Sequence, residues 1–278
     1  MPNFATSGPI TATLITAGAR VRVVASDRPD TVVLVEPINR TDKSDVKVAD
    51  NTKVDFAGGE LSIQTNVQGG KNGSVAISIE LPTGSRLVLK TAWTDVHADG
   101  LLGDCELHIS SGQIQLDHIA ALRANLMAGD VAIKHIAGTV DIESASAGLR
   151  LGEVAGAVKY QGASGNVWIG TALSDVELGS SSGSFDIDRA EGSVNAQAAN
   201  CPIRIGRITR GHAKLLNASG GIEIGISQGT AAWVDAKSTK GAVRNSLSTQ
   251  DKPDEFDNKI NVYARTRLDD IVLHRAAG

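Results

Sequence analysis

The sequence predicts an all-β protein, a single-stranded β-solenoid (β-helix) of two-sided coils with about 18 residues per coil. Three observations carry that expectation. Apolar residues recur in columns at steps of 17 to 19 residues. Each column is doubled two residues further on, the period of a strand. A Ser-Gly or Ala-Gly pair precedes one set of strands, as in Ser111-Gly112, Ala128-Gly129, Ser164-Gly165 and Ser182-Gly183.

One column runs Val96, Ile114, Val131, Leu149, Val167, Phe185, Ile203, Ile222, and its double runs Ala98, Leu116, Ile133, Leu151, Ile169, Ile187, Ile205, Ile224. A third runs Leu101, Ile119, Ile136, Val154, Ala172, Ala190, Ile208. A second strand in each unit has Leu87, Cys105, Leu122, Val140, Val158, Val176, Val194, Ala213, Ala232, doubled by Leu89, Leu107, Ala124, Ile142, Tyr160, Leu178, Ala196, Leu215, Val234. Residues at i and i+2 share a face, so these columns point inward and the residues between them point out. Stacked coils then turn each column into a ladder of aliphatic side chains, and neighbours supply the stability that one coil lacks. Glycines at 112, 129, 148, 165, 183 and 220 mark a corner that needs positive φ, with Asn200-Cys201 replacing the pair in one coil.

Composition agrees. Hydrophobic residues make up 41% of 278 and aromatics only 3%, so the core is built from Val, Ile, Leu and Ala, which suit strands. Thirty glycines against seven prolines fit many tight corners. The expected organisation is one domain over 1–278: irregular N-terminal coils and cap in 1–83, regular repeats in 84–245, and a polar insertion with a final coil in 246–278. Within the cap, Val21–Val24, Thr31–Val35, Val54–Phe56 and Val75–Leu81 read as strands, off register with the repeats, with polar loops at Asn39–Lys53 and Asn66–Asn72.

Net charge is −4, with no Lys/Arg stripe, which argues against nucleic acid. The opening MPNFATSGPITATLI lacks a charged segment followed by an apolar one, and no stretch approaches the ~18 apolar residues of a membrane span. The expectation is a cytoplasmic chain, without membrane insertion, holding Cys105 in the core and Cys201 partly exposed as reduced thiols.

The Ser/Ala-Gly-x-apolar-x-apolar units resemble the bacterial β-strand-repeat family labelled "putative adhesin", a domain family of unknown function. So do Val21-Arg-Val-Val-Ala-Ser-Asp-Arg, Ile79-Glu-Leu-Pro-Thr-Gly-Ser and Ala264-Arg-Thr-Arg-Leu-Asp-Asp-Ile-Val-Leu-His-Arg-Ala. The likeness covers nearly the whole chain and is greatest to intracellular members of actinomycete type. Leu268-Asp269 stands where members commonly have Gly. The resemblance implies the fold and brings no catalytic residues or cofactor.

The candidate binding surface is an outward column, His118, His135, Glu153, Thr171, Arg189, Arg207, stacked along one corner, together with the outward Trp168. Arg189 and Arg207 suit an anionic or glycan ligand. His118 and His135 alone fall short of the three or four ligands zinc requires, so no metal is expected. Trp93 and Trp233 are expected to cover strand edges. Asp186 and Asp188 share an outward face, the residue types of acid–base work on sugars. Gly69-Gly70-Lys71-Asn72-Gly73-Ser74 lacks the spacing of a phosphate loop. The leading expectation is therefore a non-enzymatic binding or scaffold module for a protein or glycan. The alternatives are a carbohydrate-active lyase or hydrolase on a β-helix and a self-assembling structural solenoid.

Overall fold

The computed structural model describes residues 2–65, 73–248 and 256–276. Two compact units divide the chain, Met1–Ala137 and Gly138–Gly278.

The first unit contains β1 (Asn3–Ala5), β2 (Thr11–Ala17), β3 (Ala19–Ser26), β4 (Asp30–Pro37), α1 (Lys43–Asn51), β5 (Lys53–Ala57), β6 (Glu60–Gln64), β7 (Val75–Pro82), β8 (Arg86–Ala92), β9 (Asp95–Leu101), β10 (Cys105–Ile109), β11 (Gln113–Ile119) and β12 (Leu122–Ile136). Its strands form two series. One runs β5-β6-β2-β8-β10-β12 and the other β1-β4-β7-β3-β9-β11-β12, so β12 takes part in both. All pairings are parallel except β5–β6, β1–β4 and β4–β7.

The sequence reads the early strands as off register; β4 and β5 do pair antiparallel, but β2, β3, β6 and β7 stand in parallel register with the repeats. Ala12 and Leu14 pair with Leu87 and Leu89 on one side and with Leu61 and Ile63 on the other. Val21 and Val23 likewise lie between Ile77–Ile79 and Val96–Ala98. The coil β2–β3 is regular but enters its stack out of chain order, so a search for one fixed step misses it. Two further expectations fail here. Residue 101 turns out and is 49% exposed, while Leu102 is buried, because a register shift between Leu116 and His118 displaces the chain by one residue. The expected loop at 39–53 holds α1 instead. Asp42 caps it by accepting from the Ser44 amide, and the buried Asp45 carboxylate accepts from the amides of Asn39 (2.8 Å) and Ser74 (2.6 Å). The other expected loop, 66–72, lies outside the described residues, as does most of the glycine-rich 69–74 segment.

The second unit contains β13 (Val140–Val154), β14 (Val158–Ser164), β15 (Asn166–Ala172), β16 (Val176–Ser182), β17 (Ser184–Ala190), β18 (Val194–Asn200), β19 (Ile203–Ile208), β20 (Gly211–Leu216), β21 (Ile222–Ile226), β22 (Thr230–Ser238), β23 (Val243–Asn245), β24 (Asn258–Thr266) and β25 (Ile271–Arg275). All its pairings are parallel: β13-β14-β16-β18-β20-β24-β22 and β13-β15-β17-β19-β21-β25-β23. The inward ladders are Val140-Val158-Val176-Val194-Ala213-Val262-Val234 and Leu149-Val167-Phe185-Ile203-Ile222-Ile271-Val243. Their central members are buried, each such aliphatic side chain contributing about 1.5–3 kcal/mol. Tyr160 and Phe185 meet edge-on, ring centroids 6.1 Å apart, in an otherwise aliphatic interior.

The sequence placed the coil after the 246–259 insertion last in the stack. It lies instead between β20–β21 and β22–β23, so Ala213 neighbours Val262, not Ala232. The seven residues 249–255 of that insertion lie outside the described residues.

The corner glycines behave as expected at 112, 129, 165, 183 and 220, with φ from +102° to +134°. At Gly183 a Cβ would stand 1.8 Å from the Gly165 carbonyl oxygen. Gly148 and Asn200 do not share the positive φ. Cys201 is fully buried rather than partly exposed. The Asn217 side-chain amide donates to its carbonyl at 2.9 Å and closes that corner.

Candidate functional site

The outward column forms within each unit. In the first, His118 on β11 pairs with His135 on β12, ring centroids 5.5 Å apart. Beside them, the Asp117 carboxylate lies 2.8 Å from Lys134 Nζ and 3.1 Å from His118 Nδ1. The Lys134 hydrogen bond first, and His118 after it, hold that carboxyl below the usual range. In the second unit, Glu153, Thr171, Arg189 and Arg207 stand in register on β13, β15, β17 and β19. The Arg189 guanidinium donates to Glu191, and Arg210 donates to the Glu191 carbonyl at 3.0 Å.

Trp168 points outward as the alternation requires, yet it is half-buried. The Arg150 guanidinium carbon stands 6.0 Å from its ring centroid, and the far edge of the indole lies over Gly170. Trp168 belongs to a row that the sequence reading passed over: Arg150, Trp168, Asp186, Arg204 and Glu223, one residue from each successive strand. Arg204 Nη1 lies 2.6 Å from Asp186 and 3.4 Å from Asp188, and Glu223 lies 3.2 Å from His274 Nε2. The signal was present in sequence, because every one of these residues sits between two inward apolar residues.

Two further outward acids are similarly paired. Glu106 accepts from Arg86 at 2.6 Å and stands 3.0 Å from His108, which with Arg86 holds its carboxyl below the usual range. Asp99 lies 3.0 Å from His97. Burial pushes the Cys105 thiol up to about 12 and the Cys201 thiol up to about 11. Among the described residues, no three His, Cys, Asp or Glu side chains converge as a metal site requires. Beside α1 lies a groove of about 260 Å³ lined by Arg40, Lys43, Lys47 and Asp50.

Trp93 stands 71% exposed at the corner between β8 and β9, with φ +48°, and Trp233 is 45% exposed on the outward face of β22. Among the described residues no helix is long and apolar enough to cross a membrane.

These geometries are those of a repeat of outward ladders, and the Toastrack DUF4097 family model matches residues 13–268. The chain belongs to the Toastrack DUF4097 family. Its stacked parallel strands are those of this β-solenoid fold. No curated protein matches the chain. Solved structures from several bacteria align over 98% of this Toastrack chain. A "putative adhesin" from Bacteroides fragilis is 11% identical over 95% of its own length, TM-score 0.40. A "putative adhesin" from Parabacteroides merdae is 9% identical over 94%, TM-score 0.38. A "putative cell adhesion protein" from Clostridium sporogenes is 10% identical over 94%, TM-score 0.23.

Proposed function

We propose that this Toastrack protein is a non-enzymatic binding or scaffold module, built of two-sided coils of about 18 residues, that presents a rigid β-surface to a protein or glycan. The contact residues are His118 and His135 in the first unit, and Glu153, Trp168, Arg189 and Arg207 in the second. One observation carries the reading: the side chains best suited to chemistry are tied up in ion pairs or buried. Arg204 ties Asp186 to Asp188, Lys134 ties Asp117, and both thiols are buried. A general acid or base needs a pKa tuned toward neutrality, whereas the Lys134 hydrogen bond holds the Asp117 carboxyl below its usual range. A flat outward ladder of mixed charge and aromatic surface suits recognition instead. A cytoplasmic setting belongs to the same proposal, since neither buried cysteine has a disulfide partner.

The test is a pull-down from host extract read by mass spectrometry, with the chain compared to a variant carrying Trp168→Ala, Arg189→Ala and Arg207→Ala. A partner held by the parent chain and lost by the variant supports both the module and its site. A partner held equally by both moves the site elsewhere. Turnover of an acidic polysaccharide by the purified chain would overturn the proposal.

A further inference from the structure

We propose that two copies of this chain associate by antiparallel pairing of their β22 strands, in a register centred on Ala236.

The nine residues of β22 pair with β24 along their whole length, and no described strand lies on the other side. The contrast with the first unit is informative. There the end strands β1 and β5 are antiparallel and only three and five residues long, the usual way of blunting an edge. On β24, the inward Ile260, Val262 and Ala264 are buried; their neighbours on β22, Ala232, Val234 and Ala236, are only half-buried. An added strand would complete their cover and use the unpaired main-chain groups of the edge.

Charge selects the occupant and the register. The outward face of β22 carries Trp233, Asp235 and Lys237. Lys237 lies directly beside Arg265 of β24 and makes no ion pair among the described residues, so two like charges stand in register. Asp235 sits two residues away, its carboxylate 2.7 Å from Arg265 Nη2. In a two-fold antiparallel pair, inward residues must face inward residues, because a one-residue slip would turn the half-buried face to solvent. Of the registers that satisfy this, centring on residue 235 sets Asp opposite Asp, and centring on 237 sets Lys opposite Lys. Centring on Ala236 sets Asp235 opposite the second copy's Lys237 and Lys237 opposite the second copy's Asp235. Two complementary pairs then form, and each relieves the Lys237–Arg265 contact. Because the interface is two-fold, both edges are consumed and assembly stops at the dimer.

Sedimentation equilibrium of the full chain over a range of concentrations tests this, with circular dichroism to confirm folding. The chain should show a species of twice 28.8 kDa that weakens at high salt. Asp235→Lys should weaken association at least ~10-fold by setting like charges opposite each other. The double variant Asp235→Lys with Lys237→Asp should restore it, because the swapped charges complement again. A chain that remains monomeric at every concentration overturns the proposal. So does a dimer indifferent to the single variant, or one that the double variant fails to restore.

Discussion

Arg204 Nη1 lies 2.6 Å from Asp186 Oδ1 on the neighbouring strand and 3.4 Å from Asp188 Oδ1, so one guanidinium serves both carboxylates. The sequence sets Asp186 and Asp188 on one outward face, and in the structure both carboxylates face the same guanidinium. All three side chains are substantially exposed, so the pairing adds little to stability. Arg204→Ala is expected to lower unfolding free energy by less than about 1 kcal/mol in urea titration. A loss of several kcal/mol would show that the ladder holds the fold together rather than decorating it.

The fold rests on the inward columns. Val158 is 3% exposed, stacked between Val140 and Val176. Val158→Ala removes two methyl groups and is expected to cost about 2 kcal/mol. Val158→Asp buries a charge with no partner and is expected to cost at least about 4 kcal/mol. Urea midpoints measure the first; loss of soluble expression or of a cooperative transition reports the second. Equal, small effects would mean that the coils yield at that position.

Trp93 and Gly183 form an opposed pair of backbone experiments. Trp93 holds φ +48°, and at the corresponding corner of the adjacent coil stands Gly18 with φ +64°. The left-handed region costs an L residue about 1–2 kcal/mol, part of which glycine returns to the unfolded chain as entropy. Trp93→Gly is therefore expected to stabilise by about 0.5–1 kcal/mol, since a side chain 71% exposed has little packing to lose. Gly183→Ala should act oppositely, costing about 3 kcal/mol, because φ +112° is closed to alanine and its Cβ meets the Gly165 carbonyl. Thermal melts of the two variants moving in the same direction would contradict the corner geometry.

Much of this was legible in the sequence, and the failures share a cause. The ladders from Val96 to Ile222 are read from a fixed step, and the strands pair in those registers within each unit. The step fails where the chain re-enters a stack out of order. Ala12 and Leu87 are 75 residues apart, and Ala213 and Val262 are 49 apart, although each is a neighbouring pair. Burial of Leu102 instead of Leu101 depends on a register shift, which periodicity cannot place. The helix α1 was masked by the polarity of its surroundings, although Asp42 and Asp45 both have tertiary or capping roles. For the candidate surface, the outward positions were legible from alternation alone. Which outward side chains pair with one another, as Trp168 does with Arg150, depends on register between strands.

The two thiols give the last prediction, and here pH carries the argument. Burial raises Cys105 to about 12 and Cys201 to about 11, against about 8.5 for a free thiol. The thiolate is the reactive form, so an aromatic disulfide reagent at pH 8 should label the native chain at least ~100-fold more slowly than the chain in urea. The same shifts bear on stability. Between the unfolded value and 11 to 12 the native state holds two protons that the unfolded state has released, so stability falls as pH rises through that window. Replacing both residues with alanine removes this linkage. The double variant should start less stable at pH 7, having lost buried sulfur, yet lose less than the parent chain between pH 7 and pH 10 in urea titrations. Identical pH slopes for the two would mean that neither thiol is held protonated by the fold.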